Sequence, residues 1–84
     1  MPPFAIENQS GVILGEYDAV LSDTVDLAHP GWIRPMLLAG TIKYTTVKGE
    51  VRTAAFDQKE CSFVQVARVW LTGTTAGMGI VVYY

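Results

Sequence analysis

Cysteine occurs once in these 84 residues, at Cys61, so no internal disulfide can form and nothing in cysteine usage points to secretion. Charge is scarce as well: Asp, Glu, Lys and Arg make up 17% of the chain, against roughly 25% in an average soluble domain. Lys43, Lys48, Arg52, Lys59 and Arg68 are scattered without a run, and the formal net charge is −2. Nucleic-acid binding needs a clustered basic footprint, which this pattern excludes. No segment approaches the roughly 20 apolar residues of a membrane-spanning helix. Met1-Pro2-Pro3-Phe4 lacks the basic start and apolar stretch of a signal peptide. The expected setting is a cytoplasm, or a particle assembled in one.

Catalytic and metal-binding patterns are missing too. His29 is the single histidine and lies in a His-Pro-Gly turn. Zinc takes three or four ligands, and His29 with Cys61 offers no spacing pattern. Cys61 lies beside Glu60, which disfavours a thiolate, so a small buried hydrophobe is expected rather than a nucleophile. Asp23 and Asp26 supply too few oxygens for calcium, which takes six to eight, and suit turn formation or capping. Gly73, Gly77 and Gly79 lack the phosphate-loop lysine and a following helix. Asn8-Gln9-Ser10 matches a glycosylation acceptor only by chance. Without an acid–base pair or an activated nucleophile, no enzyme, no cofactor and no metal are expected.

Apolar residues, in contrast, are plentiful: they make up half the chain. A domain this small has a large surface for its volume and should need more charge than average. The simplest resolution is that copies of itself or a partner cover part of its surface. Residues 1–21 read as an extended arm with a short first strand: Pro2 and Pro3 forbid helix, Phe4 and Ile6 are apolar anchors, and Val12-Ile13-Leu14 is a short apolar run. The stretch 22–35 is rich in Asp, Pro and Gly, which is loop chemistry, with Ser22 or Asp23 able to cap one helical turn. Met36 to Thr46 and Val51 to Phe56 read as strands joined through Lys48-Gly49, a two-residue hairpin loop with glycine at positive φ. Asp57 to Glu60 is a polar connection. Turn signals recur every 8–12 residues, so residues 22–84 are expected to form one all-β domain, a small antiparallel β-sandwich or barrel with almost no helix.

The last run, Ser62 to Tyr84, reads as two apolar strands around a Thr/Gly turn. A period of two puts Phe63, Gln65, Ala67, Val69 and Leu71 on one face, and Val64, Val66, Arg68, Trp70 and Thr72 on the other. Both faces are largely apolar, whereas a strand with one wet face alternates cleanly. One face is therefore expected in the core and the other against a neighbouring chain. Trp70 is expected in the core, its indole bonded to a backbone carbonyl. Trp32, in the Pro-Gly-Trp turn, is either a buried plug or an exposed interface anchor.

Two sequence blocks carry a resemblance. Arg68-Val-Trp-Leu-Thr-Gly-Thr-Thr-Ala76, followed by an apolar strand ending in Tyr84, and the earlier Ser22-Asp-Thr-Val-Asp-Leu27, are similar to the spike base proteins of tailed bacteriophages and gene transfer agents. Gly40 to Phe56, with Gly49, resembles the hairpin between those blocks. The N-terminal twenty or so residues and the insert Ala28 to Pro35 depart from the pattern. The resemblance implies a non-enzymatic virion component, assembled in the bacterial host cytoplasm and mounted on the capsid surface as decoration, cement or head-spike base. It implies as partners other copies of the chain (trimer or pentamer), the major capsid protein and a spike or fibre protein, with no nucleic acid and no membrane. Phe4, Ile6, Trp32, Tyr83 and Tyr84 are the expected contact residues. The rival reading is a receptor- or carbohydrate-binding β-module of a spike or tail, with Trp32 beside Asp23 and Asp26 as its candidate cluster.

Overall fold

The computed structural model describes residues 13–84, which hold six strands and no helix: β1 (Glu16–Asp18), β2 (Trp32–Pro35), β3 (Gly40–Thr46), β4 (Val51–Phe56), β5 (Val66–Val69) and β6 (Ile80–Tyr83). They form two three-stranded antiparallel sheets, in the orders β1-β6-β2 and β4-β3-β5. The fold is the expected all-β class, a small sandwich. Phe4, Ile6 and Val12 lie outside the described residues; Ile13 and Leu14 are not in a strand, and the first described strand is at residues 16–18.

The β3–β4 hairpin follows the sequence closely, because its partners are neighbours along the chain and its turn chemistry is local. Thr46 N–H donates to the Glu50 carbonyl (2.8 Å) and Gly49 N–H to the Thr46 carbonyl (2.9 Å). That closes a three-residue loop at 47–49, one longer than expected, with Gly49 at φ 90° in the left-handed position such loops require. Ala54 and Phe56 face inward while Val51, Thr53 and Ala55 stay exposed.

Two expectations need correction. Residues 32–35, inside the stretch with loop chemistry, form strand β2; its proline stands at the last position of an edge strand, where a missing N–H is tolerated. Met36 to Thr46 is therefore not one strand. Met36 and Leu37 extend the β2 ladder by donating to Gly79 (3.0 Å) and Met78 (2.8 Å), and the chain turns before β3 begins at Gly40.

The closing run is not a hairpin either. β5 pairs with β3 in one sheet, while β6 lies between β1 and β2 in the other. The connecting loop runs along the edge of β3 instead of folding back. Trp70 N–H donates to Lys43 O, Thr75 N–H to Thr41 O, and the Thr74 and Thr75 hydroxyls accept from the Lys43 and Thr41 amides. Gly73 and Gly77, at φ 94° and 79°, let the backbone make those bends. The strict two-residue alternation also fails in β5. Thr45 pairs Arg68 but Thr46 pairs Val66, so Ala67 is an extra residue, and the bulge turns both Val66 and Val69 inward.

The core joins the sheets through Ile33, Ile80 and Val82 on one side and Ile42, Phe56, Val66 and Val69 on the other, with Leu27 and Met78 completing it. The sandwich is stitched where Gly31 and Val66 exchange backbone hydrogen bonds (3.1 and 2.7 Å). A side chain at Gly31 has no room: a Cβ there would lie 2.1 Å from the Tyr83 carbonyl oxygen. Irregular segments cover two sheet edges. Ser22 and Leu27 donate to Val69 and Ala67 along β5 (3.0 and 2.8 Å), while Ser62 and Lys59 donate to Ile33 and Pro35 along β2 (2.8 and 2.6 Å).

Candidate functional site

The two sequence blocks that carry the resemblance meet in space. Asp23 accepts the Thr72 amide on Oδ1 (2.9 Å) and the Thr72 hydroxyl on Oδ2 (2.6 Å). Arg68 pairs its Nε with Asp26 Oδ1 (2.8 Å) and sends Nη1 and Nη2 to the carbonyls of Asp23 (3.3 Å) and Thr24 (3.2 Å). Ser22 Oγ accepts the amides of Thr24 (3.1 Å) and Val25 (3.0 Å), a cap-like turn without the helix it was able to open. The Thr72 hydroxyl and amide hold the Asp23 carboxyl below its ordinary value of 3.8. The arrangement is a clasp that fixes the 22–27 segment along β5 and leaves both aspartates engaged. Among the described residues no group of three or more His, Cys, Asp or Glu is placed to hold a metal ion.

Trp70 corrects another expectation. It stands half-buried on the outer face of the β4-β3-β5 sheet, and its Nε1–H donates to the Thr45 hydroxyl (2.9 Å), not to a backbone carbonyl. Lys43 and Arg68 flank its ring at 4.3 and 5.5 Å from the centroid. Two cations over one indole give this part of the outer face a polar character.

The outer face of the other sheet is different. Its ladder sets Glu16, Tyr83 and Trp32 in one row and Asp18, Val81 and Arg34 in the next. Trp32 and Tyr83 are therefore neighbours on the face turned away from the core, both half-buried in the isolated chain. Arg34 lies 5.9 Å from the centroid of the Tyr83 ring, and the Tyr83 hydroxyl lies 3.9 Å from the Met36 sulfur. Tyr84 is engaged within its own chain. Its ring stacks on His29 at 4.4 Å and 7° and meets Tyr17 edge-on at 5.6 Å. Tyr17 OH bonds the His29 carbonyl and accepts its amide (3.0 Å), so the His-Pro-Gly turn is pinned as a structural element.

Cys61 is buried, and that burial pushes its thiol pKa up. Beside it runs a segment whose contact potential the sequence hides. Phe63 is 73% exposed and Val64 is exposed with it, and Val64 shares a groove with Val47 at the end of the hairpin. Strand periodicity placed Phe63 and Val64 in β5, but the strand begins at Val66. Ser62 ends the extended reading early: its hydroxyl accepts from Ile33 (3.0 Å) and donates to Val64 (2.8 Å). Nothing in the local sequence marks that diversion, because it is a bond to a residue 29 positions away.

No protein-family model matches the chain, and no curated protein matches it. Among solved structures, the chain is similar to one in the "Capsid of native GTA particle computed with C5 symmetry", with 25% sequence identity and a TM-score of 0.74. The likeness covers 94% of this chain and 98% of that one. Near-complete coverage of both chains, on an all-β sandwich, supports a capsid-related structural protein of the phage and gene-transfer-agent kind, without singling out the spike base proteins.

Proposed function

We propose that this protein is a structural component of a tailed-phage-type virion, docked on the capsid as a homo-oligomer in the role of decoration, cement or head-spike base. The observation that carries the reading is the full-length likeness to a chain of an assembled GTA capsid. The surface chemistry agrees with it. A chain of 84 residues with so little charge leaves Leu14, Val20, Leu37, Phe63 and Leu71 exposed when alone, and apolar surface of that kind marks contact sites. Trp32 and Tyr83 are the aromatic anchors of the outer sheet face, since such residues dominate interface energetics. The work of the protein is then burial of that surface between protomers and onto the shell, with no chemical step. Asp23 and Asp26, which a glycan-binding reading pairs with Trp32, are engaged with Thr72 and Arg68 on the other sheet, which favours assembly over sugar recognition.

Native mass spectrometry of the purified chain, with co-sedimentation on particles produced without it, tests the proposal. A trimer or pentamer that pellets with the particles is the expected result, with Trp32→Ala weakening both. A monomer at high concentration that stays in the supernatant overturns the reading. Glycan-array binding that Trp32→Ala abolishes turns it toward the receptor-binding alternative.

A further inference from the structure

Of the four sheet edges, only β4 is both long and uncovered among the described residues. β2 and β5 are bonded along their outer sides by residues 59–66 and 22–31, and β1 is three residues long. β4 has six residues. The Thr46–Glu50 bond sets the parity of its ladder, so Arg52, Ala54 and Phe56 bond β3. The backbone N–H and C=O groups of Val51, Thr53 and Ala55 then point away from the sheet. Beside this edge an apolar groove opens between Ala54 on the strand and Phe63 and Val64 on the facing segment. An open edge with an adjoining apolar groove is the requirement for adding a strand: main-chain bonds hold it, and the groove takes alternate side chains.

We infer that the strand added to β4 is the N-terminal arm of a second copy of this chain, with Phe4 and Ile6 seated in the groove. The inference rests on the assembly reading above. Residues 1–12 lie outside the described structure, and their sequence suits the slot. Pro2 and Pro3 favour extended geometry for themselves and the residue before them, while Phe4 to Gln9 retain every backbone donor. Phe4 and Ile6 are two apart, so in an extended chain they share one face. Glu7 is the charged side chain of the arm and Arg52 that of β4, with opposite signs. From Ile13 back to Phe4 an extended chain reaches up to about 30 Å, comparable with the 33 Å longest dimension of the domain. Each copy has one arm and one slot, which are different parts of the chain. Contacts of that kind are head-to-tail and close into rings when the rotation allows.

The test separates donor from acceptor. Deleting residues 2–11 leaves a chain that can only accept, and Thr53→Pro, which removes an outward N–H and spares the β3 ladder, leaves one that can only donate. Each is expected to be a folded monomer by native mass spectrometry and circular dichroism, and mixing them is expected to give a 1:1 heterodimer. If Thr53→Pro does not fold, a synthetic peptide of residues 1–12 titrated into the arm-deleted chain replaces it, with amide shifts expected at Val51, Thr53 and Ala55. An arm-deleted chain that keeps the oligomeric state of the full chain overturns the inference, as does a mixture or a peptide titration that forms no complex. Those results leave the assembly reading standing, whereas a full-length chain that is itself a monomer overturns both.

Discussion

The two sheets are built in different ways from one chain. The β4-β3-β5 sheet takes its central hairpin from consecutive residues 40–56, and its outer face is dressed with threonines and the Lys43–Trp70–Arg68 stack. The β1-β6-β2 sheet gathers three short strands from residues 16–18, 32–35 and 80–83, and its outer face shows Trp32 and Tyr83. Their inner faces are equivalent, since Ile33 and Ile42 are both fully buried. What distinguishes them is loop length and the outer surface. The local sheet carries threonines and a cation-flanked indole on its outer face, while the assembled sheet carries the paired, half-buried Trp32 and Tyr83. The hairpin sheet can form from near neighbours in the chain, whereas the other sheet must wait for contacts between distant residues.

Breaking the stitch between the sheets has the largest expected effect. Gly31→Ala forces a Cβ against the Tyr83 backbone carbonyl at the Gly31–Val66 bridge. A loss of more than about 3 kcal/mol is expected, which leaves a domain of this size largely unfolded; thermal denaturation by circular dichroism checks it. The equivalence of the inner faces is tested next. Ile33→Ala and Ile42→Ala are each expected to cost about 2–5 kcal/mol with a single cooperative transition. Two resolved transitions in urea would show sheets that unfold separately.

The clasp comes third. Arg68→Ala removes an exposed ion pair, two bonds to backbone carbonyls and one side of the Trp70 stack. Exposed pairs contribute little, so most of the expected loss of about 1–3 kcal/mol comes from the carbonyls left without a charged donor. Equilibrium urea unfolding measures it. A loss equal to that of Ile42→Ala would mean that the clasp, not the core, organises the β5 edge.

The smallest effect is pH dependence. Hydrogen bonds from Thr72 lower the folded-state pKa of Asp23, so the folded chain holds this carboxylate ionised at a pH where the unfolded chain has begun to protonate it. Its contribution is complete above the ordinary value of 3.8 and is lost as pH falls through the lower folded value. The melting-temperature gap between the wild type and Asp23→Asn is therefore expected to narrow from pH 5 to pH 2. A constant gap would remove Asp23 from the clasp.

Each legible feature rests on a short-range cause. The hairpin with Gly49 at positive φ, the inward Ala54 and Phe56, the left-handed glycines of the Thr/Gly loop and the absence of helix among the described residues all follow from turn chemistry and period-two patterning. β2 was hidden because Pro30, Gly31 and Pro35 signal a loop, whereas tertiary pairing with β6 makes Trp32 to Pro35 a strand. Phe63 and Val64 looked like strand interior until Ser62 turned to bond Ile33. Of the expected contact residues, Trp32 and Tyr83 share one outer face, Tyr84 stacks on His29 in its own chain, and Phe4 and Ile6 lie outside the described residues.

By itself the sequence determined the all-β class, the β3–β4 hairpin and a surplus of apolar surface over what so short a chain can bury. Only the tertiary structure decided that Ser62 to Tyr84 is divided between two sheets rather than folded into one hairpin. It also brought Ser22–Leu27 onto Arg68 and Thr72, and among the described residues it left β4 as the long uncovered edge. The physical reason is range. Turn propensity and side-chain alternation act over a few residues, whereas strand partner choice is settled by distant backbone groups. Here Thr41 and Lys43 took the threonines of the final loop, and β1 and β2 took β6. The closing run, apolar on both faces, was thereby resolved into two elements. Each buries two side chains in the shared core, Val66 and Val69 from β5 and Ile80 and Val82 from β6, and β6 leaves Val81 and Tyr83 on the outer face.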